Sequence, residues 1–380
     1  MKIAFITTFF LESTVPLMKH MGMLGYETDL FLFCYQGGVG QPTYKYDKPF
    51  KGNKIIKQNK HHVIYQYLQK ESNIYQVPFY SPSKRRFLHY IKSKIAEQIV
   101  FRNLFKMLDA YDVIYVIVNE PHDAKLCKKL KTEGYNHVIV AYHEVLDNHI
   151  GEKSLKHVVK ETVNLGYPIV TFSNHTKKEL CEISGNENIN TIYFGPFETY
   201  KLYSSSKPII KQKYILFIGM IHPYKGLSFF YNTVCNQNIN KSYKVVVAGN
   251  GQDPVLDKIK KNERFVVINR FLDSQEFINL VQNATCVVCP YVSGSQSGIT
   301  QTAMVYGIPV VATNVGAFSE FIEEGKNGYL VEYGEEEDLS AAICKITEEH
   351  NYLENYVPKL LTWEINSGKL DQLIKNVLMS

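Results

Sequence analysis

The chain has 380 residues, more than one hydrophobic core ordinarily supports, so two domains are expected. Its 45% hydrophobic and 21% charged residues make a folding composition and exclude an intrinsically disordered chain. A formal charge of +5 over this length is too small to argue for nucleic acid, although clustered charge can still attract a phosphate-bearing ligand or anionic lipid.

At the N-terminus a short apolar run, Ile3 to Phe9, follows a single lysine and is soon interrupted by Glu12 with no convincing cleavage site after it, so it reads as a buried first strand rather than a signal peptide. Further β-rich runs follow at Asp29 to Phe33, Val113 to Val118, Val138 to Tyr142, Ile169 to Phe172 and Thr191 to Phe194. Longer helical stretches separate them. One of these, from Lys84 to Arg102, is basic and carries Phe87, Leu88, Ile91, Ile95 and Ile99 at helical spacing. That stripe can face the domain core, or it can lie on an anionic membrane surface. A polar stretch from Tyr200 to Pro208 reads as a linker. Beyond it the alternation resumes at Tyr214 to Ile218, Lys244 to Ala248, Phe265 to Ile268, Thr285 to Cys289, Val310 to Thr313 and Tyr329 to Val331.

Continuous apolar strands separated by helices indicate parallel sheets covered on both faces. The expected fold is therefore α/β, with two doubly wound, Rossmann-like domains facing across a cleft. Their expected bounds are 1–203, joined by a C-terminal helix at 364–380, and 207–363. No segment approaches the ~18 uninterrupted apolar residues of a membrane span. Seven cysteines without a disulfide-like framework suit a reducing compartment, so a cytoplasmic protein is expected, able to reach the inner face of the membrane. His61-His62 and the Cys286/Cys289 pair are poor metal candidates, and no metal site is expected.

Two segments carry the chemistry. From Pro290 to Thr313 an apolar strand ends, a small-residue loop follows, and a helix opens near Ser297. A helix N-terminus with unpaired N–H groups favours an anion. Hydroxyls on Ser293, Ser295, Ser297 and Thr300 add donors, and Gly294 and Gly298 permit close backbone approach. The other segment, Ile215 to Leu227, ends a strand at Gly219 and delivers Lys225 at a helix start, where an ammonium can neutralise a diphosphate.

These segments resemble the GT-B glycosyltransferases, particularly the large family-four (group 1) set. The slot Gly219-Met220-Ile221-His222-Pro223-Tyr224-Lys225-Gly226 is similar to that family's Gly-Arg-x-x-x-x-Lys-Gly, and Val246 to Gly251, Asn269 to Leu272 and Ala303 to Glu320 resemble later parts of its donor domain. The resemblance is specific over roughly residues 212 to 346. It implies that Gly219, Lys225, Asn250, Arg270, Phe271, Leu272, Ser295, Gln296, Ser297, Gly298, Ile299, Thr300, Thr302 and Glu320 bind the donor. Upstream, Val140 to Glu144 is similar to the strand end that brings a histidine to the donor sugar, which singles out His143 beside Lys225, with Glu120 at another strand end. Phe172 to Leu180 resembles the family's Ser-containing strand-to-helix turn.

The chain departs from that pattern in the family's E-x7-E glutamate slots, which hold Gly294 and Thr302, and in the arginine slot, which holds Met220. What the resemblance implies is transfer of a sugar from a UDP- or GDP-linked donor to a hydroxyl of a saccharide or lipid-linked saccharide. It implies no cofactor, a hexosyl transfer with retention, and a place in bacterial surface polysaccharide or glycoconjugate synthesis. An inverting reaction would need a base, for which His143, Glu144, Asp147, His149 or Glu120 are available. Loss of the glutamates also leaves open a non-catalytic nucleotide-sugar-binding subunit, or a sugar-nucleotide epimerase or hydrolase on the same fold.

Overall fold

A computed structural model of the chain describes residues 1–35, 53–79, 87–145 and 153–379. The chain forms two compact units, Met1–Tyr193 with Trp363–Ser380, and Phe194–Thr362.

In the first unit, β1 (Lys2–Thr7), β2 (Glu27–Tyr35), β3 (Ile56–Lys57), β4 (Ile74–Phe79), β5 (Val113–Val118), β6 (Val138–Tyr142), β7 (Ile169–Thr171) and β8 (Ile189–Thr191) form one sheet in the order β3-β4-β2-β1-β5-β6-β7-β8. Every pair is parallel except β3 with β4. The helices are α1 (Leu11–Met23), α2 (Phe87–Leu108), α3 (Pro121–Thr132), α4 (Lys153–Val163) and α5 (Asn174–Ser184), and the chain's last helix, Trp363–Met379, returns to this unit. Its Asp371 accepts from the Tyr26 hydroxyl at 2.7 Å, and its Asn366 side chain accepts from the Tyr193 N–H at 2.8 Å. All six residues of β5 and all five of β6 are buried, which is why these strands read as unbroken apolar runs.

The second unit holds β9 (Tyr214–Ile218), β10 (Lys244–Ala248), β11 (Phe265–Ile268), β12 (Cys286–Cys289), β13 (Val310–Thr313) and β14 (Gly328–Val331) in the order β11-β10-β9-β12-β13-β14, all parallel. Its helices are α6 (Leu227–Asn236), α7 (Leu256–Ile259), α8 (Ser274–Gln282), α9 (Gly298–Val305), α10 (Phe318–Phe321) and α11 (Glu336–Thr347); the returning Trp363–Met379 is α12. Alternate residues of each strand enter opposite cores. Ile215, Phe217, Val245 and Val247 pack with Phe230, Val234, Ile343 and Ile346, whereas Leu216, Ile218, Val246 and Ala248 pack with Leu280, Val281, Ala303 and Phe318.

Each sheet reverses its winding once, between β1 and β5 in the first unit and between β9 and β12 in the second. Crevices at the carboxyl ends of strands open at such switch points.

Several expectations need correction. The hairpin-like edge formed by β3 and β4 is absent from the expected strands, and β8 ends where the predicted strand begins. The units divide at Tyr193, not at 203–207. The supposed linker is instead a 3₁₀ turn, Glu198–Tyr203, bound to the second unit: Phe197 lies under Gly298, and the Tyr200 carbonyl accepts from the Tyr306 hydroxyl at 2.9 Å. On α2 the core-facing side is Ala96, Val100, Phe101, Leu104 and Leu108, while Ile95 and Ile99, expected on the apolar stripe, are 57% and 43% exposed. Lys84, Arg85 and Arg86, and the side chains of Phe87, Leu88, Ile91 and Lys92, lie outside the described residues.

Candidate functional site

At the switch point of the second unit, three loops interlock through backbone contacts. The β9 and β10 loops are zipped by Gly219 N–H to the Ala248 carbonyl at 3.0 Å and Ile221 N–H to the Asn250 carbonyl at 2.9 Å. The fit leaves no room for side chains: a Cβ at Gly249 would lie 1.7 Å from the Gly219 carbonyl oxygen. After Gly219 the chain makes a 3₁₀ turn over Pro223–Lys225 and leaves it through Gly226 in the left-handed region, at φ 71°. A Cβ at Gly226 would lie 1.7 Å from the Pro290 carbonyl oxygen, so the β9 loop lies directly on the β12 loop. The Val292 N–H donates to the Tyr224 carbonyl at 2.8 Å and fastens them.

This arrangement delivers Lys225 to the start of α9. Its Nζ lies 3.8 Å from the centroid of the Tyr291 ring and 5.0 Å from that of Tyr224. The Tyr291 hydroxyl and the Ser297 hydroxyl are 3.0 Å apart, and Ser297 is the N-cap of α9. Ser295 and Thr300, 2% and 1% exposed, have hydroxyl oxygens with no hydrogen-bond partner among the described residues. Orphaned buried hydroxyls are costly and ask for a ligand or water. Beside a cation and a helix N-terminus of eight residues, they form a cradle for an anion.

The other expected donor residues divide. Gly298, exposed on α9, has no room for a side chain, since a Cβ there would lie 2.9 Å from the Phe197 ring. Met220 and Asn250 line a cavity of about 890 Å³ at the β9 and β10 ends, together with Gly251 and Asn269, and Gly219 adjoins it in sequence. Phe271, 68% exposed, stands at the end of β11, and Leu272 and Ile299 pack partly into the core. Gln296 and Glu320 are half-buried. Two residues are turned elsewhere: Arg270 forks onto Glu276 at 2.8 and 2.6 Å, and the Thr302 hydroxyl donates to the Gly298 carbonyl at 2.7 Å within α9.

In the first unit, His143 follows β6 and stacks on Phe10, ring centroids 3.6 Å apart at 10°. Phe10 itself is left-handed, at φ 66°, a conformation that costs a non-glycine residue roughly 1–2 kcal/mol. Enclosure between Phe10 and Phe172 pushes the His143 pKa down to about 3, so the ring is neutral at ordinary pH. Because its folded pKa lies below the unfolded value, His143 favours the folded state less as pH falls through about 6.5 toward 3. NMR titration of the folded protein should therefore show no His143 protonation between pH 8 and 5; a midpoint near 6.5 would refute this neutral state.

Glu120 is the half-buried N-cap residue of α3, where the Asp123 carboxylate accepts from the Asn119 and Glu120 N–H groups at 3.0 and 2.9 Å. His122, buried, bonds Thr8 at 2.7 Å and ties the two sides of the switch point together. Glu144 is half-buried, whereas Asp147 and His149 lie outside the described residues. Ser173 caps α5, accepting from the Thr176 N–H at 3.0 Å. Tyr291, Tyr224, Phe10 and Glu12 are absent from the expected set. Glu12, in the first turn of α1, has its carboxyl pKa raised by burial.

Among solved structures, the chain is similar to Anabaena HepE in complex with UDP, with 16% identity, a TM-score of 0.60 and coverage of 100% of this chain and 98% of that one. It is also similar to the lipopolysaccharide outer core galactosyltransferase WaaB, with 15% identity, a TM-score of 0.56 and coverage of 100% and 99%. The two parallel-sheet domains thus have the GT-B fold. Residues 212–349 match the family described as glycosyl transferases group 1. Curated relatives include an uncharacterized 41.2 kDa protein in the cps region of Klebsiella pneumoniae, 29% identical over 31% of this chain and 32% of its own length. Another is an uncharacterized glycosyltransferase of Methanocaldococcus jannaschii, 23% identical over 50% of this chain and 53% of its own length. The matches thus span a third to about half of those relatives.

Proposed function

We propose that the protein is a glycosyltransferase that moves a hexosyl group from a nucleoside diphosphate sugar to a hydroxyl of a saccharide or lipid-linked saccharide. The observation that carries this reading is Lys225 on the ring of Tyr291, whose hydroxyl meets the α9 N-cap Ser297, with the orphaned hydroxyls of Ser295 and Thr300 on the same loop and first turn, in the part of the chain that matches group 1 glycosyl transferases. As the glycosidic bond breaks, negative charge grows on the departing diphosphate. A fixed ammonium, α9 amides and these hydroxyls stabilise that charge more than the ground state, which lowers the barrier. Because the chain supplies these donors itself, turnover is expected to persist in chelator, and no cofactor is invoked.

Gly219, Asn250, Phe271 and Leu272 are assigned to the nucleotide side, and Gln296, Ser297, Gly298, Ile299, Thr300 and Glu320 to the diphosphate and sugar. His143, being neutral, is assigned a hydrogen-bonding role toward the sugar rather than a charged one, with Glu120 on the acceptor side. UDP is the first base to test, because HepE is seen with UDP and UDP-glucose. Polysaccharide or glycoconjugate synthesis is the setting favoured by the relative in the cps region.

A panel of UDP- and GDP-sugars in thermal-shift and turnover assays tests the reading. Tight binding without transfer across a broad acceptor panel would favour a binding subunit instead. Retention, the stereochemistry of the resembled family, is tested separately by NMR of the first-formed product. An inverted product would move Glu120 or His143 into the role of base.

Peripheral membrane contact is favoured by the exposure of Ile95 and Ile99 on α2, flanked by exposed Lys94, Arg102 and Lys106. No described helix is long and apolar enough to cross a membrane. Flotation with vesicles containing phosphatidylglycerol should fall at least several-fold when Ile95 and Ile99 become serine and Lys94 and Arg102 become glutamine, since each basic residue contributes about 1 kcal/mol. Unchanged flotation would remove this contact.

A further inference from the structure

We propose that Tyr291 is a positioning residue for the diphosphate: its ring face holds the Lys225 ammonium while its hydroxyl holds the N-cap of α9, so one side chain sets both the cation and the helix amides. The proposal rests on the donor-site reading above and deepens it.

The ring lies on the loop after β12, and the lysine on the loop after β9. It is well fixed. Tyr291 is 3% exposed, packs edge-on to Phe318 at 5.3 Å and 79°, and its carbonyl accepts from the Thr313 hydroxyl at 2.6 Å. Tyr224 stands edge-on to it, 6.4 Å away at 80°, and contributes the second ring near the ammonium. The Tyr291 hydroxyl sits 3.0 Å from Ser297 Oγ. Burial raises the phenol's pKa well above its ordinary value, so this group stays neutral and remains able to donate.

The choice of an aromatic platform has a chemical consequence. A carboxylate orients an ammonium but cancels its charge and competes with a phosphate. A ring face attracts the ammonium through its quadrupole and leaves the net charge in place. This matters where the second cation expected in the slot is Met220. The ring, the Ser297 cap and the hydroxyls of Ser295 and Thr300 thus gather on one loop and one helix start.

The test measures UDP and GDP binding by calorimetry in the full-length protein. If the wild type binds neither, the donor reading fails. If it binds, Tyr291→Phe should bind about three-fold more weakly, because the ring survives but the hydroxyl that holds Ser297 is lost, whereas Tyr291→Leu, which loses both, should bind about ten-fold more weakly. Most of that loss should vanish when Tyr291→Leu is made in a Lys225→Ala background, because the ring acts through the lysine. An equal loss in both backgrounds would overturn the proposal. Should Tyr291→Leu not fold, phenylalanines of increasing fluorination at position 291 keep the shape while draining the ring face of charge. UDP affinity should then fall stepwise, and a flat series would overturn it.

Discussion

Lys225→Ala should lower kcat by about 10²–10³-fold while leaving the thermal unfolding of the protein nearly unchanged. The estimate follows from what the lysine faces. It supplies a positive charge near a helix N-terminus whose neighbouring hydroxyls, on Ser295 and Thr300, have no partner among the described residues. A charge of that kind acts most strongly when the diphosphate is departing, so the loss belongs in kcat more than in KM. Lys225→Arg should recover only part of the activity, because a planar guanidinium does not present its charge from the same point above the Tyr291 ring. Steady-state kinetics with the preferred nucleotide sugar checks the prediction. A variant with wild-type kcat would sink the assignment of Lys225 to the leaving group.

The sequence carries the second unit almost completely, because its strands are buried on both faces and read as unbroken apolar runs between helices. It fails at β4, where Gln76 and Pro78 interrupt the pattern. Pro78 is tolerated there because β3 pairs only with Tyr75 and Gln76, and no described strand beyond them asks for the missing N–H. The linker failed for a related reason: a polar stretch signals exposure, but Phe197 and Tyr200 within and beside it are buried anchors for α8 and α9.

At the site, residue types were legible and their partners were not. Ser295, Ser297, Thr300 and Lys225 are visible as phosphate chemistry on a loop and a helix start. Whether a given side chain is available depends on contacts that no local pattern encodes. Arg270 is engaged by Glu276, and Thr302 by its own helix. The Lys225–Tyr291 contact exists because β9 and β12 are neighbours at the switch point, although they are distant in the chain. The one local hint was an aromatic residue directly after the proline that ends β12, in a loop otherwise made of small residues.

Gly226→Ala should destabilise the second unit by about 2–4 kcal/mol, seen as a fall of roughly 5–15 °C in its unfolding midpoint. Two costs add. At φ 71° alanine enters the left-handed region, and its Cβ would lie 1.7 Å from the Pro290 carbonyl oxygen, a backbone atom that cannot rotate away. Relief requires the β9 and β12 loops to separate. That movement would stretch the hydrogen bond from the Val292 N–H to the Tyr224 carbonyl and draw Lys225 off the Tyr291 ring. Nucleotide binding should therefore weaken even in the fraction that stays folded. Gly325→Ala is the matched control: its φ is 70°, and nothing approaches closer than the Tyr329 hydroxyl at 4.0 Å. It carries only the conformational cost, about 1–2 kcal/mol, and should leave UDP affinity unchanged. Equal midpoints and equal affinities for the two variants would show that the interlock of these loops does not hold the site together.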